Sequence, residues 1–245
     1  MEQKQRVIAM IPARIGSTRL PMKNLALIDG EPLIGHAIKA AKEAGVFDRI
    51  VVNSDAPIFA KIAERYGVDF YHRPEHLGSS STKSDDVVHD FMTNNPCDIL
   101  AWVNPTSPLQ TGDEVRGVIG HFCREGLDSL ITVNREQVHA NFADRPLNYR
   151  TDELFAQTQD LVPVELFVYS IMMWRTAPFL ETYGRQHHAF FVGKVGFYPV
   201  SKLTSIIIKR EEDLRLAEFV MKTRRQRGNA PLQYDPLAEE ARRVR

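Results

Sequence analysis

The 245-residue sequence predicts an α/β protein with a mainly parallel sheet. Short apolar runs that suit buried strands alternate with stretches of helical periodicity, a pattern typical of βαβ units. Gly45 and Gly67 each follow such a periodic stretch and suit the C-terminal caps of helices. With 43% hydrophobic and 25% charged residues, the chain can bury a sizeable core. We therefore expect one domain over residues 1–225 and a C-terminal extension over residues 226–245.

The predicted elements follow from periodicity in chain order. The strands are expected over residues 7–11, 50–52, 68–71, 98–103 and 129–133, and the helices over residues 33–44, 57–66, 112–126 and 211–225. The first strand should stop before Pro12, because proline cannot donate to a ladder. The last helix is amphipathic, with acids in its first turn and bases in its last, so its acids are expected to cap the helix.

Composition and charge exclude several classes of partner. The 31 Lys and Arg balance the 31 Asp and Glu, so no global field favours nucleic acid or an anionic membrane. The two cysteines are too few for a disulfide scaffold and lack metal-ligand spacing. No run of about 18 apolar residues could span a bilayer. These observations predict a cytoplasmic protein without a membrane or nucleic-acid partner.

The first strand runs directly into a basic loop, residues 13–23, with the sequence ARIGSTRLPMK. Ligands bind at the carboxyl ends of strands in open α/β sheets. Arg14, Arg19 and Lys23 supply donors for phosphate oxygens, while Gly16 allows positive φ and a close backbone approach. Three cations on one loop suggest a polyanion such as a nucleoside triphosphate; the alternative is a solvated basic loop. The loop matches neither the P-loop nor the G-x-G-x-x-G pattern.

The run IPARIGSTRLPMKNL, residues 11–25, resembles the opening of the CMP-sialic acid synthetases, also called acylneuraminate cytidylyltransferases. Its STRLP part is also similar to the CMP-KDO synthetases. The resemblance implies a three-layer αβα, Rossmann-like fold of the nucleotide-diphospho-sugar transferase type and CTP as a substrate. It further implies catalytic roles for Arg14 and Lys23 and nucleotide contacts from Ala13, Arg14, Gly16, Ser17, Arg19 and Lys23.

Two later stretches resemble the same family. Residues 72–88 resemble a loop that lies over the nucleotide base, which implies base contacts from Ser79 and Ser84. The alternative is a serine-rich loop in which Ser84 or Asp85 caps a helix. The turn NPTSPLQ, residues 104–110, resembles the LQPTSPLR turn of the sialic-acid branch, and Asn104 is expected to face the sugar.

Residues 134–170 are expected to leave the sheet as an excursion. Part of it, LFAQTQDL, resembles a family segment that helps form a homodimer and reaches the partner's sugar site, which implies a sugar contact from Gln159. The alternative is a disordered loop. The apolar run at residues 166–173 must be buried in the core or in an interface. Where relatives carry an arginine for the sugar carboxylate, residues 163–166 offer no cation.

The second departure from the family concerns Mg²⁺, the expected cofactor. Ile207 and Lys209 stand where the resemblance places two metal-binding aspartates. Three hypotheses remain open: assistance by Lys209 with a metal bound mainly by the triphosphate, use of another carboxylate such as Asp55 or Asp113, and loss of transfer. Asp55 is expected more as a helix cap than as a ligand.

The resemblance thus implies a cytidylyltransferase that transfers CMP from CTP to an acidic sugar, of the sialic or nonulosonic acid kind, with release of pyrophosphate. Catalysis would rest on positioning and electrostatics. Two alternatives are the same fold with another acceptor or nucleotide, and a nucleotide-binding homologue without transferase activity.

Overall fold

The computed structural model describes residues 4–228, 231, 233–235 and 237–238. Much of the predicted extension over residues 226–245 lies outside these described residues. The helices are α1 Leu33–Ala44, α2 Ile58–Tyr66, α3 Ser84–Asn94, α4 Gly112–Arg124, α5 Thr176–Gln186 and α6 Glu211–Arg227. The strands are β1 Val7–Ala13, β2 Leu27–Ile28, β3 Glu31–Pro32, β4 Arg49–Ser54, β5 Asp69–His72, β6 Ile99–Val103, β7 Ser129–Glu136, β8 Asn141–Phe142, β9 Arg145–Pro146, β10 Val164–Arg175 and β11 Val195–Pro199.

Seven strands form the main sheet, in the order β11-β7-β10-β6-β1-β4-β5. The pairs β1–β4, β1–β6, β4–β5 and β7–β11 are parallel. β10 alone runs antiparallel to both of its neighbours, β6 and β7. The predicted α/β class with a mainly parallel sheet is therefore confirmed. β1 and β6 lie side by side near the centre, so the loops after them share one edge of the sheet.

The sheet is covered by helices on both faces, which explains why its central strands are apolar throughout. Ile8 and Met10 pack with residues of α3 and α5. Ala9 and Ile11, which point to the opposite face, pack with α1 and α2. α4 joins this second face through its own cluster with β6, β7 and β10. The result is the predicted three-layer αβα arrangement.

Helix boundaries agree well with the sequence, whereas β1 is longer than predicted. α1 has the predicted bounds, and Gly45 and Gly67 take left-handed conformations at the ends of α1 and α2. β1 does not stop before Pro12 but continues to Ala13. Pro12 is tolerated because it pairs only with Asn53 of β4, the β6 ladder having ended at Met10.

The predicted excursion is partly absorbed into the sheet. β7 and β10 pair as far as Glu136 and Val164, so the chain leaves the sheet only over residues 137–163. This segment contains the β8–β9 hairpin, and Asn148 Nδ2 holds it together by donating to the carbonyls of Val138 and Val162 at 2.8 and 2.9 Å.

A separate apolar cluster joins α6 to the β2–β3 hairpin. Ile28, Leu109, Ile208 and Ala217 are its buried members together with Leu33. Because Ile208 belongs to this cluster, the segment before α6 is held beside the loop that follows β1. None of the helices in the described ranges combines the length and apolar content needed to cross a membrane.

Candidate functional site

A cavity of about 280 Å³ lies where the loops after β1, β5 and β6 meet. Its volume is near the lower end for small-molecule sites. Eight residues selected from the sequence line it: Ala13, Arg14, Ser17, Arg19, Lys23, Ser79, Ser84 and Asn104. Their convergence follows from the fold, because carboxyl ends of neighbouring parallel strands lie at one edge. Gly16, Gln159 and Lys209 do not line this cavity.

The loop after β1 is shaped by its own backbone rather than by Gly16. The amide of Ser17 donates to the carbonyl of Ile15 at 2.9 Å, and the short 3₁₀ helix Lys23–Leu25 closes the loop. The expected positive φ is absent from Gly16 and occurs at Met22, with φ 49°. An added Cβ on Gly16 would meet nothing within 4 Å. The structure of the free protein therefore does not require glycine there.

Lys23 connects this loop to the segment before α6. Its Nζ donates to the carbonyl oxygen of Ile208 at 2.9 Å, across 185 positions of sequence. Burial, together with the charges of Arg19 and Arg14, lowers the pKa of Lys23 to about 8. Arg19 and Arg14 repel the ammonium of Lys23, and an anion bound among the three side chains would relieve that repulsion.

The loop between β5 and α3 forms a second wall. Arg73 is buried and donates through Nη2 to Asp55 Oδ1 at 3.2 Å and to the carbonyl of Ala13 at 3.4 Å. Asp55 is therefore the partner of Arg73 rather than a helix cap. Ser84 is the first residue of α3, whose N-cap is Lys83, so neither Ser84 nor Asp85 is the cap. Ser84 also lines the cavity.

The turn after β6 forms the third wall. Asn104 Oδ1 accepts hydrogen bonds from the amide and hydroxyl of Thr106, at 3.1 and 2.9 Å. This leaves the amide group of Asn104 available as a donor toward the cavity. Gln110, the other departure in this turn, is buried away from the cavity and donates to Ser170 Oγ at 3.2 Å. Asn104 is therefore the departure that a ligand could contact.

Several polar residues of the site were missed in the sequence, and three of them are buried in part. Asn24, Arg73 and Trp102 line the cavity, and each has a buried polar atom without a hydrogen-bond partner among the described residues. Asn24 lies in the K-N-L stretch and Arg73 begins the R-P stretch of the second loop. Both stretches resemble family motifs, so the resemblance could have identified these two residues. Nothing in the sequence identified Trp102 as a site residue, because it lies within an apolar run that predicts a buried strand.

The charge of the site is strongly one-sided. Five cations line the cavity, namely Arg14, Arg19, Lys23, Arg73 and Lys83, whereas none of its lining residues is an aspartate or glutamate. The described part of the chain also contains no cluster of three or more residues suited to a metal ion. Mg²⁺ prefers carboxylate oxygens. The residues present therefore do not fit a divalent metal held by the protein.

The carboxylates considered from the sequence lie elsewhere. Asp55 is held by Arg73, and Asp113 is exposed and pairs with Arg116 at 2.6 Å. The acid whose charge acts on Lys23 is Asp213, whose Oδ2 accepts from the amides of Lys209 and Arg210, both at 2.8 Å. The acidic start of α6 thus includes a capping carboxylate, as its sequence predicts.

Comparison with solved structures identifies the fold. A CMP:2-keto-3-deoxy-manno-octonic acid synthetase structure, described as a complex with CTP, superposes with a TM-score of 0.68 at 15% identity, covering 89% of this chain and 99% of that one. A 4-diphosphocytidyl-2C-methyl-D-erythritol synthase from Anaerococcus prevotii superposes with a TM-score of 0.64 at 12% identity, covering 89% and 99%. The protein therefore shares the Rossmann-like α/β fold of these two proteins.

Sequence comparison then gives the family. The cytidylyltransferase family model matches residues 8–202, and the chain belongs to this family. An N-acylneuraminate cytidylyltransferase of Streptococcus agalactiae serotype III is 28% identical over 219 residues, or 84% of this chain and 51% of that protein. One from Escherichia coli O18:K1:H7 is 33% identical over 113 residues, or 46% and 27%. The chain spans about half the length of the Streptococcus relative, and the family predicted from residues 11–25 is confirmed.

Proposed function

We propose that the protein transfers CMP from CTP to an acidic sugar of the sialic or nonulosonic acid type and releases pyrophosphate. One observation carries the proposal: the basic loop after β1 and the polar turn after β6, which both resemble family motifs, line the same cavity. A solvated basic loop would have no reason to share a cavity with Asn104 and two serines of a third loop. The names of the relatives support the same reaction class.

The cavity suggests a division of roles. Arg14, Arg19 and Lys23 hold phosphate oxygens, with Ser17 beside them as a hydroxyl donor. Ser79 and Ser84 lie on the loop proposed to cover the base, and Asn104 offers its amide to the sugar. The cations would stabilise charge that develops on the triphosphate as the reaction proceeds, which is the main task in phosphoryl transfer.

The transfer is an in-line substitution at the α-phosphorus. A hydroxyl oxygen of the sugar bonds to the α-phosphorus while the bond to the oxygen bridging the β-phosphorus breaks, and that electron pair leaves with pyrophosphate. The hydroxyl proton passes to solvent, since the described lining residues include neither carboxylate nor imidazole. A loose transition state needs little help from a base. Lys209 is kept as a proposed catalytic residue that acts from just outside the cavity.

The proposal is tested by measuring pyrophosphate release from each of the four nucleoside triphosphates with a panel of sialic and related nonulosonic acids. We expect release that requires both CTP and an acidic sugar, and loss of most of it in Lys23→Ala. Lys202→Ala is the matched control, because Lys202 is an exposed lysine outside the cavity. Binding of CTP without release for any acceptor would instead favour a nucleotide-binding homologue without transferase activity.

We also propose a homodimer formed through the excursion. Leu154, Phe155 and Phe142 are 95%, 72% and 75% exposed, which is unusual for side chains so large and apolar. Phe167 on β10 is partly exposed and stacks on Phe197, with ring centroids 5.6 Å apart. Of the apolar run at residues 166–173, only its later part is in the core. A second subunit would cover the remainder.

Sedimentation velocity of the wild type and of Phe155→Asp tests the dimer. We expect a dimer that the substitution weakens, with the melting temperature of the monomer retained because the side chain is exposed. A wild type that is monomeric at all concentrations would contradict it.

Gln159, in the same excursion, is proposed to reach the partner's sugar, so Gln159→Ala should raise KM for the sugar and leave KM for CTP unchanged. The cytoplasmic location remains a prediction.

A further inference from the structure

The phosphate end of the cavity has more positive charge than its own acids can balance. Arg14, Arg19 and Lys23 line it without a carboxylate among the lining residues. Asp55 neutralises Arg73 instead, at 3.2 Å. A triphosphate carries roughly four negative charges, two on its terminal group and one on each inner group. The excess positive charge of the cavity and the negative charge of the ligand are therefore of similar size.

The segment before α6 adds to this positive charge. Ile208 accepts the hydrogen bond from Lys23 through its carbonyl, while its side chain is fully buried in the apolar cluster of α6. Ile207 and Lys209 therefore flank the point at which the phosphate-binding lysine is held. One flanking side chain is a hydrocarbon and the other an ammonium, and neither can bind a metal ion.

Lys209 lies close enough to Lys23 for the two positive charges to interact. It is exposed and is not part of the cavity wall, yet its charge contributes to lowering the pKa of Lys23. Asp213, whose charge opposes this effect on Lys23, accepts two amide hydrogen bonds through one oxygen at the start of α6. An exposed ammonium beside a phosphate site is free to swing toward a bound polyanion, since lysine acts as a flexible point charge.

We propose that side-chain cations, Arg14, Arg19 and Lys23 with Lys209, neutralise the triphosphate in this protein, and that nucleotide binding needs no divalent metal. The inference deepens the proposed function and rests on it. Side-chain cations stabilise phosphate charge by the same electrostatics that a metal ion provides, and most strongly where they are already positioned. Lys23 is positioned by Ile208, and Lys209 is adjacent to that contact.

The direct test is calorimetric titration of the full chain with CTP, once with EDTA and once with excess Mg²⁺. We expect dissociation constants that agree within about threefold, because no protein ligand for the metal is lost when the metal is removed. Binding that is at least ten times weaker in EDTA would overturn the inference and leave the proposed function standing. An absence of binding in both solutions would overturn both.

A charge reversal tests the part played by Lys209. In EDTA, Lys209→Asp should bind CTP at least ten times more weakly than the wild type. The matched control is Lys202→Asp, which makes the same charge change at an exposed position of the same segment and should bind like the wild type. Equal losses in the two variants would mean a general field effect and would overturn the specific role of Lys209.

A double variant tests whether an acidic pair and the cation are interchangeable. Ile207→Asp combined with Lys209→Asp should bind CTP weakly in EDTA and regain affinity in Mg²⁺, so that the protein becomes metal-dependent. Melting temperatures establish that all variants fold. If the double variant does not fold, Lys209→Gln is tested instead, because it changes only one exposed residue. Wild-type affinity of Lys209→Gln in EDTA would overturn the role of this lysine.

Discussion

Binding of CTP should draw a proton onto Lys23 at alkaline pH. In the free protein, burial and the neighbouring Arg19 and Arg14 lower the pKa of this lysine to about 8. A triphosphate at the same place would reverse the repulsion and raise the pKa by about two units or more. About three quarters of the free protein is neutral at Lys23 at pH 8.5 and about one tenth at pH 7. Binding should therefore take up roughly 0.7 proton at pH 8.5 and roughly 0.1 at pH 7.

Calorimetry in buffers with different ionisation enthalpies measures this number as the slope of the observed enthalpy against the buffer enthalpy. CTP itself contributes little at pH 8.5, because the terminal phosphate loses its last proton at a pKa of about 6. Lys23→Arg is the matched control, since arginine keeps the charge but stays protonated. We expect this variant to bind CTP with a slope near zero at pH 8.5.

The same pKa shift makes a prediction for stability, with a sign that follows from proton linkage. Between pH 8 and 10.5 the unfolded chain holds a proton on Lys23 that the folded protein has lost, so the free energy of unfolding rises with pH across this window. The full shift corresponds to about 3.4 kcal/mol, and partial exposure reduces our expectation to about 1–2 kcal/mol. Lys23→Arg should lack this rise. In the calorimetric experiment, a zero slope of observed enthalpy against buffer enthalpy for the wild type at pH 8.5 would refute the reasoning. An equal slope in Lys23→Arg would refute it as well.

Three further predictions concern two glycines in loops beside the cavity and Glu114 on α4. Gly16→Ala should leave the melting temperature unchanged, since a Cβ there meets nothing within 4 Å, but should weaken CTP binding about tenfold in calorimetry if the loop backbone approaches phosphate. Gly78→Ala should weaken CTP binding and lower the melting temperature, because its Cβ would collide with Asp55 and disturb a buried ion pair. Glu114→Ala should lower the free energy of unfolding by about 1–3 kcal/mol at pH 7 in urea titrations, because it leaves polar groups of residues 201–204 unpaired.

The Glu114 prediction also has a pH signature. Burial alone would raise the pKa of Glu114, but hydrogen bonds from Thr204, Ser201 and Thr111 outweigh burial and hold the pKa below its ordinary value of 4.5. A carboxylate of lowered pKa stabilises the fold above that ordinary value and loses its contribution as the pH falls further. The difference between wild type and Glu114→Ala should therefore shrink below pH 4.5. A difference that is constant from pH 7 to 3 would contradict it.

Local chemistry determined much of this protein. The bounds of α1 follow from apolar spacing and the left-handed Gly45, and both signals act within a few residues. Arg14 could be assigned to a ligand site because it follows a strand of a parallel sheet, whose carboxyl ends share an edge, whereas Ser79 and Asn104 were assigned through the resemblance of their loops to family motifs. The charge of residues 13–23 suggested an anion, with a solvated basic loop as the alternative, since three cations so close in sequence stay close in any fold.

Only the tertiary structure decided the contacts that tune the site. Lys23 meets Ile208 across 185 positions, and no local pattern encodes such a pairing. The antiparallel entry of β10 between β6 and β7 likewise depends on long-range strand pairing, so a segment expected outside the sheet joins its centre. Arg73 is buried only because Asp55 compensates its charge, and the free energy of an ion in the interior depends on such distant partners.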